Sequence, residues 1–315
     1  MDNKRIDKGI HTYTKDISVI VPVWRGALQY LPKLLSTIPI SEMIEVIIVD
    51  NSQEQIKADE IVSERVFDLL YADPKRHAGG SRNVGMEAAK GKWLVFADAD
   101  DYFSDNAFDV FYKYIDTDAE VVYSCMQGVY VDTGEYSDRG DDYTILVNNY
   151  LDGRQTETDL RCGFSSPCAK MVSHALVDRE NLRYDEIRAC NDIYFSAATG
   201  YFAKYIEATR EVTYIATVNR GSLTKRRDFE TISARVYGIS HRNLFFKQHG
   251  LKKKQKSVMA MFYLARKFSV RQKMALVRIL IHFRQNPFIG WKNWGKTYLN
   301  RTRKREEKAK KYIVQ

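Results

Sequence analysis

The sequence predicts an α/β fold with a mostly parallel sheet flanked by helices, followed by a basic helical C-terminal extension. In the first part of the chain, β-branched runs of strand length alternate with segments of helical apolar spacing. Charge also divides the chain. Residues 1–240 hold 28 basic and 38 acidic residues, whereas residues 241–315 hold 21 basic and two acidic ones. We therefore expect an α/β domain over residues 1–240 and a basic helical extension over residues 241–315.

The chain opens with a strand, a helix and a second strand. Ile17–Val23 is a β-branched run suited to a central parallel strand. From Ala27 onward, apolar residues recur at helical spacing, and Glu45–Val49 repeats the strand pattern. Such an order is typical of a βαβ unit.

A third and a fourth strand are expected at Phe67–Tyr71 and Trp93–Ala97. Ala58–Val66 carries a weaker helical pattern before the third strand. Before the fourth strand, Ser81 could cap a helix that ends at Gly91. Crossovers of this length join parallel strands with right-handed chirality, so the carboxyl ends of these strands should meet on one edge.

Asp50 and Asp98 directly follow the second and the fourth expected strands. In open sheets of this kind, ligands bind beyond the carboxyl ends of the strands. Both aspartates are therefore expected on one rim of the sheet, beside a ligand site.

Three carboxylates crowd the end of the fourth strand, at Asp98, Asp100 and Asp101. One interpretation is structural, with Asp101 or Ser104 capping a helix over Asp105–Ile115. The other is a divalent cation, because a D-x-D arrangement places two hard oxygen ligands on one turn. Such an ion, Mg²⁺ or Mn²⁺, would also bind the phosphates of a substrate.

The extension combines apolar, aromatic and basic residues. Ser257–Arg284 predicts amphipathic helices, two in number, whose apolar residues are mostly core. Farther on, the aromatic residues Phe288, Trp291, Trp294 and Tyr298 alternate with lysines, a mixture typical of the membrane interface. Nowhere does an uncharged apolar run reach the length of about 18 residues that a spanning helix needs. An anionic membrane surface is the expected partner, and nucleic acid is not expected.

Several segments, in this order and spacing, resemble a family 2 glycosyltransferase of the GT-A fold. They read ISVIVPVWR, EVIIVDNS, GGSRNVGMEAAKGKWLVFADADD, RACNDIYF and NRGSLTKRR. The resemblance covers about residues 17–227 and implies a Rossmann-like catalytic domain. It further implies inverting transfer of a sugar from a nucleotide diphosphate, usually UDP, to an acceptor hydroxyl with Mn²⁺ or Mg²⁺.

The resemblance also implies a role for individual residues. The residues implied to bind the nucleotide sugar are Pro22, Val23, Trp24, Asp50, Arg82, Asp98 and Arg220. Asp100 is implied to ligate the metal, with Asp98 reaching the ribose or a metal-bound water. Asp192 is implied to be the catalytic base that takes the proton of the acceptor hydroxyl. Lys170 stands where the family often has a lysine before the acceptor region.

Simpler interpretations of these residues remain open. Asp50 could be a turn residue at a strand end, and Asp192 could cap a helix over Ile193–Thr199. Asn191 departs from the family pattern, which has Glu before the catalytic Asp. An amide can only hydrogen-bond, whereas a second carboxylate would raise the pKa of Asp192.

The expected function is hexosyl or N-acetylhexosaminyl transfer, one sugar per encounter, in the synthesis of a bacterial surface polysaccharide such as capsule or O-antigen. The acceptor would be a glycan or a lipid-linked glycan. The expected location is cytoplasmic, peripheral at the inner face of the cell membrane. The alternative is a basic nucleic-acid- or membrane-binding protein with a non-catalytic GT-A-like domain.

Overall fold

A computed structural model describes residues 13–218 and 227–289. The chain divides into two compact units, residues 1–224 and residues 225–315. The boundary that charge suggested, residue 240, falls within a helix of the second unit, Phe229–Gln248. Among the described residues, no helix is long and apolar enough to span a membrane.

The first unit is built on one sheet. Its strands are β1 (Lys15–Val23), β2 (Ile44–Asp50), β3 (Asp68–Tyr71), β4 (Gly91–Phe96), β5 (Tyr102–Phe103), β6 (Val121–Tyr130), β7 (Tyr136–Ser137), β8 (Lys170–Ser173) and β9 (Ile206–Val218). Its helices are α1 (Leu31–Ser36), α2 (His77–Ala88), α3 (Ala107–Tyr112), α4 (Asp141–Leu151), α5 (Glu157–Gly163), α6 (His174–Arg179) and α7 (Ile193–Phe202).

The strands lie in the order β3-β2-β1-β4-β8-β6-β9-β5, with β7 beside β6. The four strands predicted from the sequence are neighbours and run parallel, which confirms the α/β prediction. Beyond β4 the sheet is mixed, because β8 is antiparallel to both of its neighbours. The strands β1, β2 and β4 are mostly buried on both faces, as their continuous apolar runs require.

Two of the predicted helices differ in the structure. The expected helix over Ala58–Val66 is wrong: a single 3-10 turn forms at Ala58–Glu60. Arg65 lies buried there and donates to the carbonyl oxygen of Ile38 at 2.8 Å, which fixes this segment as a loop.

The second helix, α2, begins at His77, so Ser81 lies inside it rather than capping it. The hydroxyl of Ser81 faces His77 O of the preceding turn. The 185–191 segment packs directly on α2 at Gly79. A Cβ at this position would lie 2.0 Å from the carbonyl oxygen of Asp185.

Three helices form the described part of the second unit: α8 (Phe229–Gln248), α9 (Met259–Leu264) and α10 (Val270–His282). The latter two confirm the prediction of two amphipathic helices. Their core contains six buried apolar residues: Ile232, Val236, Val258, Ala265, Leu276 and Leu280. Ser269 begins α10 with a capping box, since its hydroxyl accepts from the backbone N–H of Gln272 at 3.3 Å.

Candidate active site

The carboxyl ends of β1, β2 and β4 form one rim of the sheet. Val23, the last residue of β1, is in register with Asp50, the last residue of β2. On the other side of β1, the amide of Ala97 donates to Ile20 O, so Asp98 follows at the same edge. Asp50 and Asp98 therefore lie on the rim where the sequence predicted them.

Asp50 organises the loop that leaves β2. Its Oδ1 accepts from the backbone N–H of Ser52 at 2.9 Å and from the Ser52 hydroxyl at 2.5 Å. Its Oδ2 accepts from the backbone N–H of Ile56 at 2.7 Å. The residue is 1% exposed. The turn interpretation thus describes its contacts in the structure, and a contact between Asp50 and a base stays a prediction.

The end of β1 forms the neighbouring part of the rim. Pro22 pairs with Val49, and Val23 is buried, so both belong to the sheet. Trp24 is 61% exposed. Its ring lies over Gly26, where a Cβ would come within 2.1 Å of the ring. Of these three predicted pocket residues, Trp24 therefore offers a large exposed apolar surface beside the rim.

A depression of 460 Å³ lies beyond the carboxyl ends of β2 and β3. Its lining includes Ser52, Gln55 and Tyr71. The first two belong to the loop after β2, whose start Asp50 organises, and the Tyr71 hydroxyl donates to Ile56 O at 3.0 Å in the same loop. The depression is thus a polar and aromatic recess lined by the loop after β2 and by the end of β3 with the residues that follow it.

The turn from Asp98 to Asp101 is attached to β9 by four hydrogen bonds. The hydroxyl of Tyr214 accepts from the amide of Asp98 and donates to Oδ2 of Asp101, both at 2.9 Å. Thr217 donates its amide to Oδ1 of Asp101 at 2.7 Å and its hydroxyl to the carbonyl oxygen of Asp100 at 2.5 Å. This attachment fixes the backbone from which Asp98 and Asp100 project.

Asp101 is therefore neither a helix cap nor a surface residue. It is 2% exposed, and α3 starts after Asn106 without a side-chain cap. Burial raises the pKa of Asp101, while Arg139, with a guanidinium nitrogen 3.8 Å from its Oδ2, lowers it. Sequence reasoning missed this role, because nothing in the local pattern reveals that β9, more than 100 residues later, supplies the partners.

Asp98 and Asp100 are the other two carboxylates of the turn at the rim. Burial and the neighbouring charge of Asp98 raise the pKa of Asp100. A bound cation would relieve this crowding of like charge. Among the described residues, no group of three or more His, Cys, Asp or Glu side chains could hold an ion. Two carboxylates alone would leave most ligand positions of a divalent cation to other groups, such as substrate phosphates and water.

Arg82 connects the D-x-D turn with Asn191, the residue that precedes Asp192. It lies on α2 and is 4% exposed. One guanidinium nitrogen pairs with Asp98 Oδ1 at 2.5 Å, and another donates to Asn191 Oδ1 at 3.0 Å. Burial opposes its charge, but the nearby carboxylate of Asp98 raises the pKa of Arg82. Arg82 therefore lies beside the D-x-D turn, and its contact with the nucleotide sugar stays a prediction.

Asp192 immediately precedes α7 and does not cap it with its side chain. The interpretation of Asp192 as a helix cap is therefore wrong. Burial raises the pKa of Asp192, and the nearby cations Arg82 and Lys170 oppose that rise. Cys190, two residues earlier, has a left-handed φ of 58°. Non-glycine residues held in this region often lie at functional sites.

Lys170, on β8, is fully buried, with 0% exposure. Its Nζ lies 5.7 Å from the centre of the Phe164 ring. Among the described residues, this ammonium finds no hydrogen-bond partner. The sequence analysis did not predict the burial of Lys170.

Arg220, the remaining predicted contact of the nucleotide sugar, lies outside the described residues. The same holds for Trp291, Trp294 and Tyr298 of the extension. These positions stay predictions.

Comparison with known proteins identifies related sequences. A family model described as glycosyl transferase family 2 matches residues 18–179. The glycosyltransferase GlyG of Streptococcus pneumoniae is 32% identical over 114 residues, which cover 34% of this chain and 37% of GlyG. The putative glycosyltransferase EpsH of Bacillus subtilis is 23% identical over 225 residues, which cover 68% of this chain and 64% of EpsH. The matched segments thus span between about a third and just under two thirds of these relatives.

Solved structures of similar shape include TarS of S. aureus. TarS 1-349 in complex with UDP-GlcNAc has a TM-score of 0.61 and 20% sequence identity, covering 86% of this chain and 81% of that one. The same TarS segment in complex with UDP has a TM-score of 0.58. At this level of identity the likeness establishes a shared fold.

Proposed function

Because the chain belongs to glycosyl transferase family 2, we propose that its first unit transfers one sugar from a UDP-sugar to an acceptor hydroxyl with inversion at the anomeric carbon. One observation carries the proposal. Arg82 bonds to Asp98 on one side and to Asn191 on the other, so a single cation joins the D-x-D turn to the residue before Asp192. The proposed donor site at the D-x-D turn and the proposed acceptor site at Asp192 therefore lie on either side of Arg82.

The proposed reaction needs a base and a departing diphosphate. The acceptor oxygen attacks the anomeric carbon, the bond from that carbon to the diphosphate oxygen breaks, and the hydroxyl proton passes to the Asp192 carboxylate. Asp192 suits this role because burial raises its pKa toward the working range of a general base. Glu186, an alternative base, is held by Arg76 at 2.8 and 2.5 Å and has a lowered pKa.

UDP is the proposed donor nucleotide. The TarS structure of similar fold is a complex with UDP-GlcNAc, and the depression of 460 Å³ lies at the rim where α/β sheets bind nucleotides. Trp24, exposed beside this rim, could stack on a base or sugar. Asp50 and Arg82 complete the proposed donor side.

Asp98 and Asp100 would hold Mn²⁺ or Mg²⁺. When bound, the ion would neutralise charge on the departing diphosphate. The attachment of the turn to Tyr214 and Thr217 supports this proposal, because a ligand set is effective when its backbone is held in place.

The acceptor is proposed to be a glycan or lipid-linked glycan of a bacterial surface polysaccharide, and the protein to act at the inner face of the cell membrane. Support for the membrane location comes from α10, on which Val270, Met274 and Ile281 are 77%, 52% and 70% exposed. With 3.6 residues per turn they lie within about 40° of one another. They form an apolar stripe, and the exposed Arg271 and Arg278 lie along one side of it.

Charge favours an anionic bilayer as the partner of this stripe. Residues 227–289 contain 14 Lys and Arg residues and two acidic ones, Asp228 and Glu230. Apolar side chains flanked by arginines suit the boundary between acyl chains and anionic headgroups. The exposure of Met274 and Ile281 also refines the expectation that the apolar residues of this segment are mostly core.

Calorimetric titration with UDP tests the donor and the metal together. We expect Mn²⁺ to tighten UDP binding, and Asp100→Ala to weaken the metal-dependent binding by about tenfold or more, since Asp98 alone leaves too few ligands. Asp105→Ala, at an exposed position of the next turn, is the matched control and should bind like wild type.

Each other result has a defined meaning. UDP binding that neither EDTA nor Asp100→Ala changes would show that the metal assignment is wrong. Absence of UDP binding with Mn²⁺ present would reject the donor class and favour a non-catalytic GT-A-like domain.

A further inference from the structure

Arg139 contacts the D-x-D turn from a distant part of the sequence. One of its guanidinium nitrogens lies 3.8 Å from Asp101 Oδ2, and another donates to the carbonyl oxygen of Thr217. Thr217 in turn donates its amide to Asp101 Oδ1 at 2.7 Å. Arg139, Asp101 and Thr217 therefore form a closed set of contacts that joins the segment after β7 to the turn and to the end of β9.

The backbone at Arg139 packs closely on β6. Gly128 of β6 allows this approach, because a Cβ there would lie 2.5 Å from the carbonyl oxygen and 2.9 Å from the amide nitrogen of Arg139. The Arg139 amide donates to the hydroxyl of Ser137 at 3.3 Å. Gly140, with a left-handed φ of 95°, then leads the chain into α4. These local constraints hold the base of the Arg139 side chain beside the turn.

Burial makes the partner of Asp101 important. Asp101 is almost fully buried, whereas the side chain of Arg139 is 35% exposed. Within the described part of the chain, Arg139 is the one cation that forms an ion pair with Asp101. Removing one member of a buried pair leaves an uncompensated charge, which is strongly unfavourable. Loss of Arg139 would therefore disturb the turn directly after Asp100.

Charge on the turn is compensated unequally. Arg82 pairs with Asp98 at 2.5 Å, and Arg139 pairs with Asp101 at 3.8 Å. The carboxylate of Asp100 forms no ion pair with any residue that the structure describes. Two of the three negative charges thus have a guanidinium partner, and the charge of Asp100 is left for a divalent cation.

We propose that Arg139 is a positioning residue for the D-x-D turn, holding Asp101 and the end of β9 together so that the backbone of Asp100 is fixed for metal ligation. This inference rests on the proposed binding of a divalent cation by Asp98 and Asp100. Arg139 acts through Thr217, whose hydroxyl donates to the carbonyl oxygen of Asp100 at 2.5 Å. It is assigned no contact with the metal or the substrate.

Arg139→Met tests the proposal, because methionine keeps an apolar stem but removes the charge and the donors. UDP binding is measured by calorimetry with Mn²⁺ and with EDTA, and the ratio of the two dissociation constants gives the enhancement by metal. We expect this enhancement to fall by about tenfold, as is usual when a residue that supports metal ligands is lost. UDP binding in EDTA should stay within a few-fold of wild type.

Arg139→Lys keeps the positive charge without the planar guanidinium fork. We expect its enhancement by Mn²⁺ to lie between those of Arg139→Met and wild type, because an ammonium group restores the charge beside Asp101 but cannot reproduce both contacts. If Arg139→Met does not fold, this variant carries the test. A wild-type enhancement in Arg139→Lys would then overturn the proposal.

Arg161→Met is the matched control for loss of an arginine that joins a carboxylate to backbone carbonyls. Arg161, on α5, pairs with Glu157 at 2.5 Å and donates to the carbonyl oxygens of Gly200 and Ala203 at 2.8 and 2.6 Å. Its loss should lower the melting temperature but leave the enhancement by Mn²⁺ at the wild-type value. A reduced enhancement in Arg139→Met alone could therefore not be ascribed to general destabilisation.

Asp100→Ala, measured alongside, separates this proposal from the metal assignment. If Asp100→Ala loses the enhancement by Mn²⁺ while Arg139→Met keeps the wild-type value, the role of Arg139 is wrong and the metal assignment stands. If Mn²⁺ enhances UDP binding equally in Asp100→Ala and wild type, the metal assignment fails and the role of Arg139 fails with it.

Discussion

Lys170 couples the stability of the protein to pH. Burial lowers its pKa to about 7, whereas a lysine in the unfolded chain titrates near 10.4. Below pH 7 the lysine is charged in both states and the cost of burial is fully present. Between about pH 7 and 10 the unfolded chain binds a proton that the native state has released, so native stability rises with pH.

We therefore expect the melting temperature of wild type to rise relative to that of Lys170→Met between pH 7 and pH 9. The contribution is up to about 1.4 kcal/mol per pH unit. Differential scanning calorimetry of both proteins checks it. A difference in melting temperature that stays constant across this range would contradict a depressed pKa for Lys170.

The position of a functional residue was predictable from the sequence where it depends on the local pattern. It was less predictable where the partners of the residue are distant in the chain. Asp98 and Asp100 follow a strand, and their position on the rim follows from strand parallelism. Arg82 was expected near the donor, but its bond to Asn191 depends on a contact between residues 109 positions apart. Asp101 looked like a cap because its true partners, Tyr214 and Thr217, belong to the far end of the unit.

Elements were predictable where the hydrophobic pattern is strong. The strands β1, β2 and β4 carry such patterns and form close to the expected residues, and α9 and α10 lie within the segment Ser257–Arg284 that was expected to be helical. The start of α2 was missed because Gly79 and Gly80 read as a loop. In the structure Gly79 allows α2 to pack against the 185–191 segment, a tertiary requirement that outweighs its low helix propensity.

At the scale of one element, α10 is the proposed membrane contact. The variant Val270→Gln/Met274→Gln/Ile281→Gln keeps good helix formers and leaves the buried Leu276 and Leu280 in place. We expect it to lose cosedimentation with vesicles containing phosphatidylglycerol, even at high salt, because the apolar contribution is not screened. Arg271→Gln/Arg278→Gln should weaken binding mainly at low salt, since ionic attraction fades as the Debye length shortens.

Ile145→Gln, on the exposed face of α4 in the first unit, is the control for a lost exposed apolar residue. It should pellet like wild type. Equal pelleting of the α10 triple variant and wild type would assign the stripe to a protein partner or to another segment of the chain.

At the scale of the whole molecule, two units divide the proposed tasks. The first carries the rim, the D-x-D turn, Arg82 and Asp192, and belongs to a family defined by sugar transfer. The second concentrates basic charge and an exposed apolar stripe. The net charge of +9 is the sum of an acidic part, residues 1–240, and a strongly basic part, residues 241–315.

The measurement that tests the account most directly compares Asp192→Asn with wild type in UDP binding and in Mn²⁺-dependent turnover of UDP-GlcNAc. The account predicts UDP affinity within a few-fold of wild type, because Asp192 is assigned to the acceptor side. It predicts a kcat lower by about 10²–10⁴-fold, the usual contribution of a positioned general base. Wild-type turnover by this variant, with UDP bound normally, would contradict the assignment of Asp192 as the base.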